Sequence, residues 1–155
     1  MSHIGFAFSI SLQKPSAMTL KRIELLLNFT LLNLLPICAQ SPIRTWQVEF
    51  ANGSSSKVIQ GTIKGSETVD YVVHATAGQL MKVALKSNNG ANYFNVLPPG
   101  ESDVAIFVGS TSGDKYEGVL PAAGDYKIRV YLMRSAARRN EKASYTLTIT
   151  LSRNS

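Results

Sequence analysis

The chain has 155 residues, with 16 lysine and arginine side chains against 10 aspartate and glutamate side chains, and a single cysteine. This length suits one domain of ordinary size, and a single cysteine excludes an intramolecular disulfide. The fold must therefore be held together by apolar burial rather than by covalent cross-links.

The N-terminal part has the pattern of a secretory signal peptide. Lys21 and Arg22 precede an apolar run from Leu25 to Ala39 that several polar residues and one proline interrupt. A charged start, a short apolar core and a small residue at the end are typical of such peptides, and the run is too short for a good membrane-spanning helix. We expect cleavage near Ala39.

Two alternatives remain open in this region. A lipoprotein signal would use Cys38, but Ile37 stands where such sites require a small residue. Residues 1–17 have no evident role, and Met18 is an alternative start of translation. We expect residues 1–39 to be an N-terminal extension plus signal peptide, and residues 40–155 to be a single domain without a membrane anchor.

The segment 40–155 alternates between apolar and polar residues in many short runs. Its 13 basic and 9 acidic side chains give a net charge of +4. The first alternation, residues 43–50, places Trp46, Val48 and Phe50 on one face, and later runs include 104–108, 126–132 and 145–151. Turn signals such as Asn52-Gly53 separate the runs. The pattern predicts an all-β fold, an antiparallel sandwich of about eight to nine short strands. Only residues 134–142 have a helix-like composition, which predicts one short helical turn near the C-terminus.

Catalytic machinery is missing from the sequence. His74 is the one histidine after residue 39, and a lone strand histidine is seldom a metal ligand. The segment 109–113 superficially resembles a nucleophile elbow, but its central residue is Thr111 and we interpret it as a turn. No glycine-rich phosphate loop precedes a helix. The sequence therefore predicts neither an enzyme nor a bound metal or cofactor.

The most informative segment is an arginine cluster that directly follows an alternating strand. Arg134 and Arg138 are four residues apart and would share one face of a helix, whereas Arg139 points about a quarter-turn away. Guanidinium groups bind carboxylates or phosphates in bidentate fashion, and Tyr131 adds apolar contact area beside them. This arrangement indicates a protein that places positive charge into an acidic site of a partner.

The arginine cluster has two other interpretations. It could be a solvated basic face that Glu141 partly neutralises, since most charge runs are simply solvated. It could also bind nucleic acid, but a net charge of +4 is modest and a signal peptide exports the protein away from DNA.

From about Val48 to Leu151 the sequence resembles the bacterial periplasmic inhibitors of goose-type lysozyme. The most specific part is the pattern Gly124-x-Tyr126-x-x-x-Val130-x-x-x-Arg134-x-x-Ala137-Arg138. Weaker landmarks occur in the same order: Val48-Glu49-Phe50, Gly53-Ser54-Ser55, Gly61-Thr62-Ile63-Lys64-Gly65, Tyr71, Gly78-Gln79 and Leu120-Pro121-Ala122.

The resemblance implies a sandwich like that of prepeptidase C-terminal domains, a periplasmic location and a g-type lysozyme as protein partner. Arg134 and Arg138 would enter the lysozyme cleft, and the loop after Gly65 would be a second contact. The best-known family members carry a tyrosine directly after that glycine, where this chain has Ser66.

The alternative function is a module of the same fold that binds carbohydrate or the cell envelope. It would use exposed aromatic side chains, for which the candidates are Tyr93, Phe94, Tyr116 and Tyr131.

Overall fold

Nine strands and two short helices form two packed sheets in the computed structural model, which describes residues 43–153. In chain order they are β1 (Arg44–Gln47), β2 (Ser56–Lys64), β3 (Val69–Ala75), β4 (Gln79–Ser87), β5 (Asn92–Leu97), β6 (Phe107–Val108), α1 (Gly109–Ser112), β7 (Lys115–Val119), β8 (Gly124–Leu132), α2 (Arg134–Arg138) and β9 (Lys142–Arg153). The predicted all-β sandwich with a helical turn near the C-terminus is confirmed. The predicted extension and signal peptide, including Cys38, lie outside the described residues.

The two sheets differ in size and in strand order. The larger sheet has the order β1-β3-β8-β5-β6, and the smaller has the order β2-β9-β4-β7. All pairings within residues 43–153 are antiparallel except that of β1 with β3, which is parallel. β1 and β2 are therefore edge strands, each with one side that no neighbouring strand covers.

Every second side chain of the central strands faces inward, and these side chains fill the core. In β8, Ile128 and Val130 face inward and are fully buried, and Leu147 and Ile149 of β9 meet them from the other sheet. Successive side chains of a strand point to opposite faces, so this alternation places one apolar face of each sheet against the other.

The segment that leads into β8 explains two residues of the resemblance pattern. Gly124 has a φ of +138°, and a Cβ there would lie 2.8 Å from the Cβ of Pro99. The hydroxyl of the buried Tyr126 donates to the carbonyl oxygen of Ala122 at 2.9 Å. This is the arrangement of a tyrosine corner, which fixes the chain as it enters a sandwich strand. The other two apolar residues of the pattern are also structural: Val130 is part of the core, and Ala137 packs against the core.

A bidentate ion pair holds the 98–106 segment over the outer face of the larger sheet. Arg129 donates from Nε and Nη2 to the two carboxylate oxygens of Asp70, at 2.8 and 2.9 Å. Its third nitrogen, Nη1, donates to the carbonyl oxygen of Ser102 at 2.9 Å. The hydrogen bond to Asp70 raises the pKa of Arg129. All three nitrogens of this guanidinium donate within the domain, so it is not available to another molecule.

Three local expectations differ from the structure. Trp46 is 59% exposed, whereas Val48 and Phe50 pack against the core, because β1 is a short edge strand that ends at Gln47. The segment 109–113, expected to be a turn, contains the four-residue helix α1. Of the alternating run before it, only Phe107 and Val108 pair as β6, since Val104 and Ile106 are exposed in the crossing segment.

Candidate functional site

The arginine helix α2 is fixed directly to the end of β8. The backbone N–H of Met133 donates to the carbonyl oxygen of Ala91 at 2.8 Å, which sets the direction in which the chain leaves the sheet. Ala136 is fully buried, and Ala137 packs against the core, so these two small residues turn one face of the helix inward. The arginines are thereby left on the outside of a rigid support.

Arg134 and Arg138 are exposed and have free guanidinium groups. They are four residues apart on α2 and so lie one turn apart on the same face. Among residues 43–153, the structure gives neither side chain a hydrogen-bond or ion-pair partner. Two like charges on one face repel, and the arrangement is stabilised once an anion lies between them.

Arg139 is in a different state, because Glu141 already neutralises it. Its Nε and Nη2 atoms both lie 2.7 Å from Oε1 of Glu141. The second oxygen of Glu141 accepts from Nδ2 of Asn89 at 2.9 Å. These hydrogen bonds, first from Asn89 and then from Arg139, lower the pKa of Glu141. The expected partial neutralisation by Glu141 thus applies to Arg139 and not to the other two arginines.

The C-terminal end of α2 is a Schellman motif. Asn140 has a φ of 55°, its N–H donates to the carbonyl oxygen of Ala137, and the N–H of Glu141 donates to that of Ala136. An asparagine in the left-handed conformation just after a helix is a usual way to satisfy its last carbonyl groups. The helix therefore has a defined end despite its five residues.

The loop after β2 contacts this helix end, so the structure brings Ser66 to the same edge as α2. The N–H of Gly65 donates to the carbonyl oxygen of Glu141 at 2.9 Å. Gly65 has a φ of +59°, and a Cβ there would lie 2.6 Å from Oδ1 of Asn140. Ser66 follows directly and is exposed. Reasoning from the sequence did not find this contact, although Gly65 and Asn140 are both residues that favour a positive φ.

Tyr131 lies on the outer face of the larger sheet and not on α2. It is half-buried, its register partner is Tyr93, and its hydroxyl donates to Oδ1 of Asn95 at 3.2 Å. Tyr131 is thus close to the arginines in sequence, but its side chain projects from β8 and not from α2.

The aromatic candidates of the alternative function do not form an exposed platform. Phe94 is fully buried, and Tyr116 is a half-buried residue that contacts the ring of Phe107. The expectation that these side chains are exposed is therefore wrong for Phe94, because it occupies an inward position of β5.

Residues 43–153 contain neither a cluster of metal ligands nor a membrane-spanning helix. No group of three or more His, Cys, Asp or Glu side chains there is arranged to hold a metal ion. His74 pairs through Nδ1 with Oδ1 of Asp125 at 2.8 Å, and both side chains are exposed. No helix in the described part of the chain is long and apolar enough to cross a membrane.

Fold and site together define a β-sandwich binding protein that presents two unpaired guanidinium groups from one edge. No protein-family model matches the chain. The chain is 35% identical over 103 residues to the inhibitor of g-type lysozyme of Escherichia coli K12, a match that covers 66% of this chain and 77% of that protein. The chain belongs to the family of inhibitors of g-type lysozyme.

Two solved structures are similar to this chain. PliG of Aeromonas hydrophila, a periplasmic lysozyme inhibitor of g-type lysozyme, is 36% identical and superposes with a TM-score of 0.66, covering 71% of this chain and 97% of that one. The pre-peptidase C-terminal domain of a Bacillus anthracis collagenase is 15% identical with a TM-score of 0.50, covering 71% and 96% of the two chains. The second likeness concerns the fold alone.

Proposed function

We propose that this protein is a periplasmic inhibitor of g-type lysozyme, and that Arg134 and Arg138 enter the substrate cleft of the enzyme. The observation that carries the proposal is the pair of exposed, unpaired guanidinium groups on one face of α2. Membership of the inhibitor family gives the partner, since the relatives named above inhibit g-type lysozyme. The protein itself performs no reaction.

The inhibition follows from the chemistry of glycoside hydrolysis. A lysozyme cleft needs a carboxylic acid whose pKa is raised by burial, so that it can protonate the leaving oxygen. A guanidinium placed beside it favours the ionised form and lowers that pKa. The same side chain fills space that the sugar would occupy. Loss of the proton and loss of the substrate site both stop the enzyme.

The rigid support of α2 is suited to this role. Binding immobilises flexible side chains and loops at a cost, and a pre-organised surface lowers that cost. The Schellman end of α2 and the Gly65–Glu141 backbone hydrogen bond supply such pre-organisation. Ser66, next to Gly65, is our proposed second contact with the enzyme.

The remaining predicted contacts are expected to contribute differently to the affinity for lysozyme. Arg139 is already paired with Glu141, so we expect it to contribute mainly by holding the end of α2. Tyr131 stays a predicted contact at the rim, where its ring projects from the larger sheet. We expect neither nucleic acid nor a cofactor to take part, and we expect export by the segment 18–39 to deliver the domain to the periplasm without a membrane anchor.

The test is muramidase activity on cell walls with goose-, chicken- and invertebrate-type lysozymes, each with and without the purified protein. We expect inhibition of the goose type alone. Inhibition of none of the three at micromolar protein would contradict the proposal, and equal inhibition of all three would contradict the assigned partner. Bovine serum albumin at the same concentration controls for non-specific adsorption of the enzymes.

A further inference from the structure

A groove between the edge strands β1 and β2 has the size and lining of a small-molecule site. The two strands belong to different sheets and border a cavity of about 520 Å³. Cavities of about 300–1,000 Å³ are typical of such sites. Apolar side chains, among them Trp46, Val48 and Ile59, line it together with the cations Arg44 and Lys57.

Two tyrosine hydroxyl groups give the groove a polar floor. The hydroxyls of Tyr71 and Tyr145 lie 2.8 Å apart and join the two sheets. Gly61 of β2 allows this arrangement, because a Cβ there would come within 2.5 Å of the ring of Tyr145. A ligand that reaches the floor would therefore meet hydroxyl oxygens between apolar walls, which suits a molecule with both apolar and hydroxylated faces.

The groove offers an anion one cation that has no partner among the described residues. Within residues 43–153, Lys57 has no hydrogen-bond or ion-pair partner. Arg44 uses only Nη2, in long contacts of 3.2 Å to the carbonyl oxygen of Thr62 and 3.4 Å to Glu67, so its other nitrogens remain available. Glu49 is the acidic residue among those that line the groove. Because Glu67 partly neutralises Arg44, the cation of the lining that an anion can reach without displacing a partner is Lys57.

Trp46 supplies a wall on which a ring can stack. Its side chain is 59% exposed although it is the largest apolar side chain of the domain, and it stands on a strand that no neighbour covers on this side. An indole offers a flat apolar surface with one N–H donor at its edge, a combination common where one side of a ligand is apolar and the other polar.

We propose that this groove binds a sugar ring that carries a carboxylate. The apolar face of the ring would stack on Trp46, the hydroxyl groups would reach the tyrosine pair, and the carboxylate would bind Lys57. The source of such a sugar rests on the proposed function, since the cell wall on which lysozyme acts contains carboxylated saccharides. Binding would hold the inhibitor close to the polymer that its target attacks.

The chain itself supplies the reporter for a test. Trp46 is the one tryptophan among 155 residues, so intrinsic tryptophan fluorescence reports this groove alone. The purified protein is titrated with N-acetylmuramic acid and with N-acetylglucosamine, which lacks the carboxylate-bearing lactyl group. We expect a saturable change with the acidic sugar and at least about tenfold weaker binding of the neutral one, as the loss of one charge-assisted hydrogen bond predicts.

Two variants test the assignment of the carboxylate. Lys57→Gln is expected to weaken binding of the acidic sugar about tenfold and to leave the neutral sugar unaffected. Lys86→Gln removes the same charge from β4 and is expected to change neither. No saturable change with either sugar at about 10 mM, well above a dissociation constant of about 1 mM, would overturn the proposal. Equal binding of both sugars, or equal losses in both variants, would overturn it as well.

The groove and the inhibitory edge can be tested independently. The Arg134→Ala, Arg138→Ala double variant is expected to lose inhibition and to keep its affinity for the acidic sugar, so failure of one proposal leaves the other standing. If instead Trp46→Ala weakens inhibition of the lysozyme and neither sugar binds, the groove belongs to the enzyme interface and the sugar proposal is wrong.

Discussion

The arginines of the domain differ in what their guanidinium groups already bind. Arg129 forms an ion pair with Asp70, and Arg139 forms one with Glu141, so both guanidinium charges are neutralised within the domain. Arg134 and Arg138 have no such partner among residues 43–153. A guanidinium held on a rigid element without a partner is available for a bidentate carboxylate of another molecule. This availability, together with their position on α2, supports our proposal that Arg134 and Arg138 contact the lysozyme.

The hydrogen bonds that Glu141 accepts from Asn89 and Arg139 predict a pH-dependent stability. Because these bonds, first the one from Asn89, lower the pKa of Glu141 in the folded state, their contribution is fully present above the ordinary glutamate pKa of about 4.3. It is lost as the pH falls through the lowered value. We therefore expect Glu141→Gln to be less stable than the parent protein at pH 7 and equally stable at acid pH. Urea denaturation from pH 7 down to pH 3 measures the difference, and a difference that grows toward acid pH would contradict this account.

Replacing Gly65 is expected to destabilise the domain and to displace Asn140 at the end of α2. Gly65→Ala combines a left-handed backbone with a Cβ 2.6 Å from Oδ1 of Asn140, whereas Gly78→Ala has a φ of +82° and no atom within 4 Å. Both changes introduce the backbone strain of about 1–3 kcal/mol, and only the first also forces a neighbour to move. We expect Gly65→Ala to cost more unfolding free energy than Gly78→Ala, by up to about 1 kcal/mol, because Oδ1 of Asn140 is the end of an exposed side chain that can move.

The two glycine variants also separate stability from function. We expect Gly65→Ala to weaken lysozyme inhibition at a temperature where both variants are fully folded, because the loop and the end of α2 shift together. Equal inhibition by the two variants would show that the contact between Gly65 and Asn140 does not position the site.

At the scale of elements, the positions of the five-residue helix α2 and of the loop after β2 depend on the long strands that carry them. α2 continues directly from β8, which pairs with both β3 and β5, and its buried Ala136 anchors it to the core. The loop after β2 reaches it because β2 and β9 pair along their length, which brings Lys64 opposite Lys142. The register of the smaller sheet thus sets the distance between the two predicted contact segments.

The hydroxyl pair of Tyr71 and Tyr145 links the two sheets and predicts a coupled effect. Burial and the hydrogen bond to Tyr71 raise the pKa of Tyr145, so the Tyr145 hydroxyl remains neutral at physiological pH. Either single change to phenylalanine leaves a buried hydroxyl unpaired, which costs about 1–3 kcal/mol. The double change removes both groups, and we expect it to cost less than the sum of the single changes. A double-mutant cycle by urea denaturation measures this coupling, and strict additivity would contradict it.

At the scale of the whole molecule, the sequence predicted the parts that depend on local periodicity. Alternation of period two identified β8 and β9, and the composition of residues 134–142 identified the helical turn. The contact between Gly65 and Asn140 joins positions far apart in sequence, so no local pattern reveals it. The exposure of Trp46 was missed for a related reason, because alternation does not say whether an edge strand is covered.

The sandwich presents two surfaces with different chemistry, which meet at the loop after β2, where Glu67 contacts Arg44 of the groove. One carries α2 with the loop after β2, and the other is the open side between β1 and β2. The net charge of +4 on residues 40–155 is compatible with binding acidic partners at both, but it does not choose between them. The choice depends on where cations lack partners, which only the folded structure defines.

The most direct measurement is the affinity of the protein for a goose-type lysozyme by isothermal titration calorimetry, with the Arg134→Ala, Arg138→Ala double variant beside the parent. The control is Lys86→Ala, Lys115→Ala, which removes two exposed positive charges from the smaller sheet. We predict that the arginine variant binds at least about 100-fold more weakly with an unchanged melting temperature, as the loss of two buried interface arginines implies, and that the lysine variant binds nearly as well as the parent. Equal affinities of the arginine variant and the parent, or equal losses in both variants, would contradict the claim that these two guanidinium groups enter the lysozyme cleft.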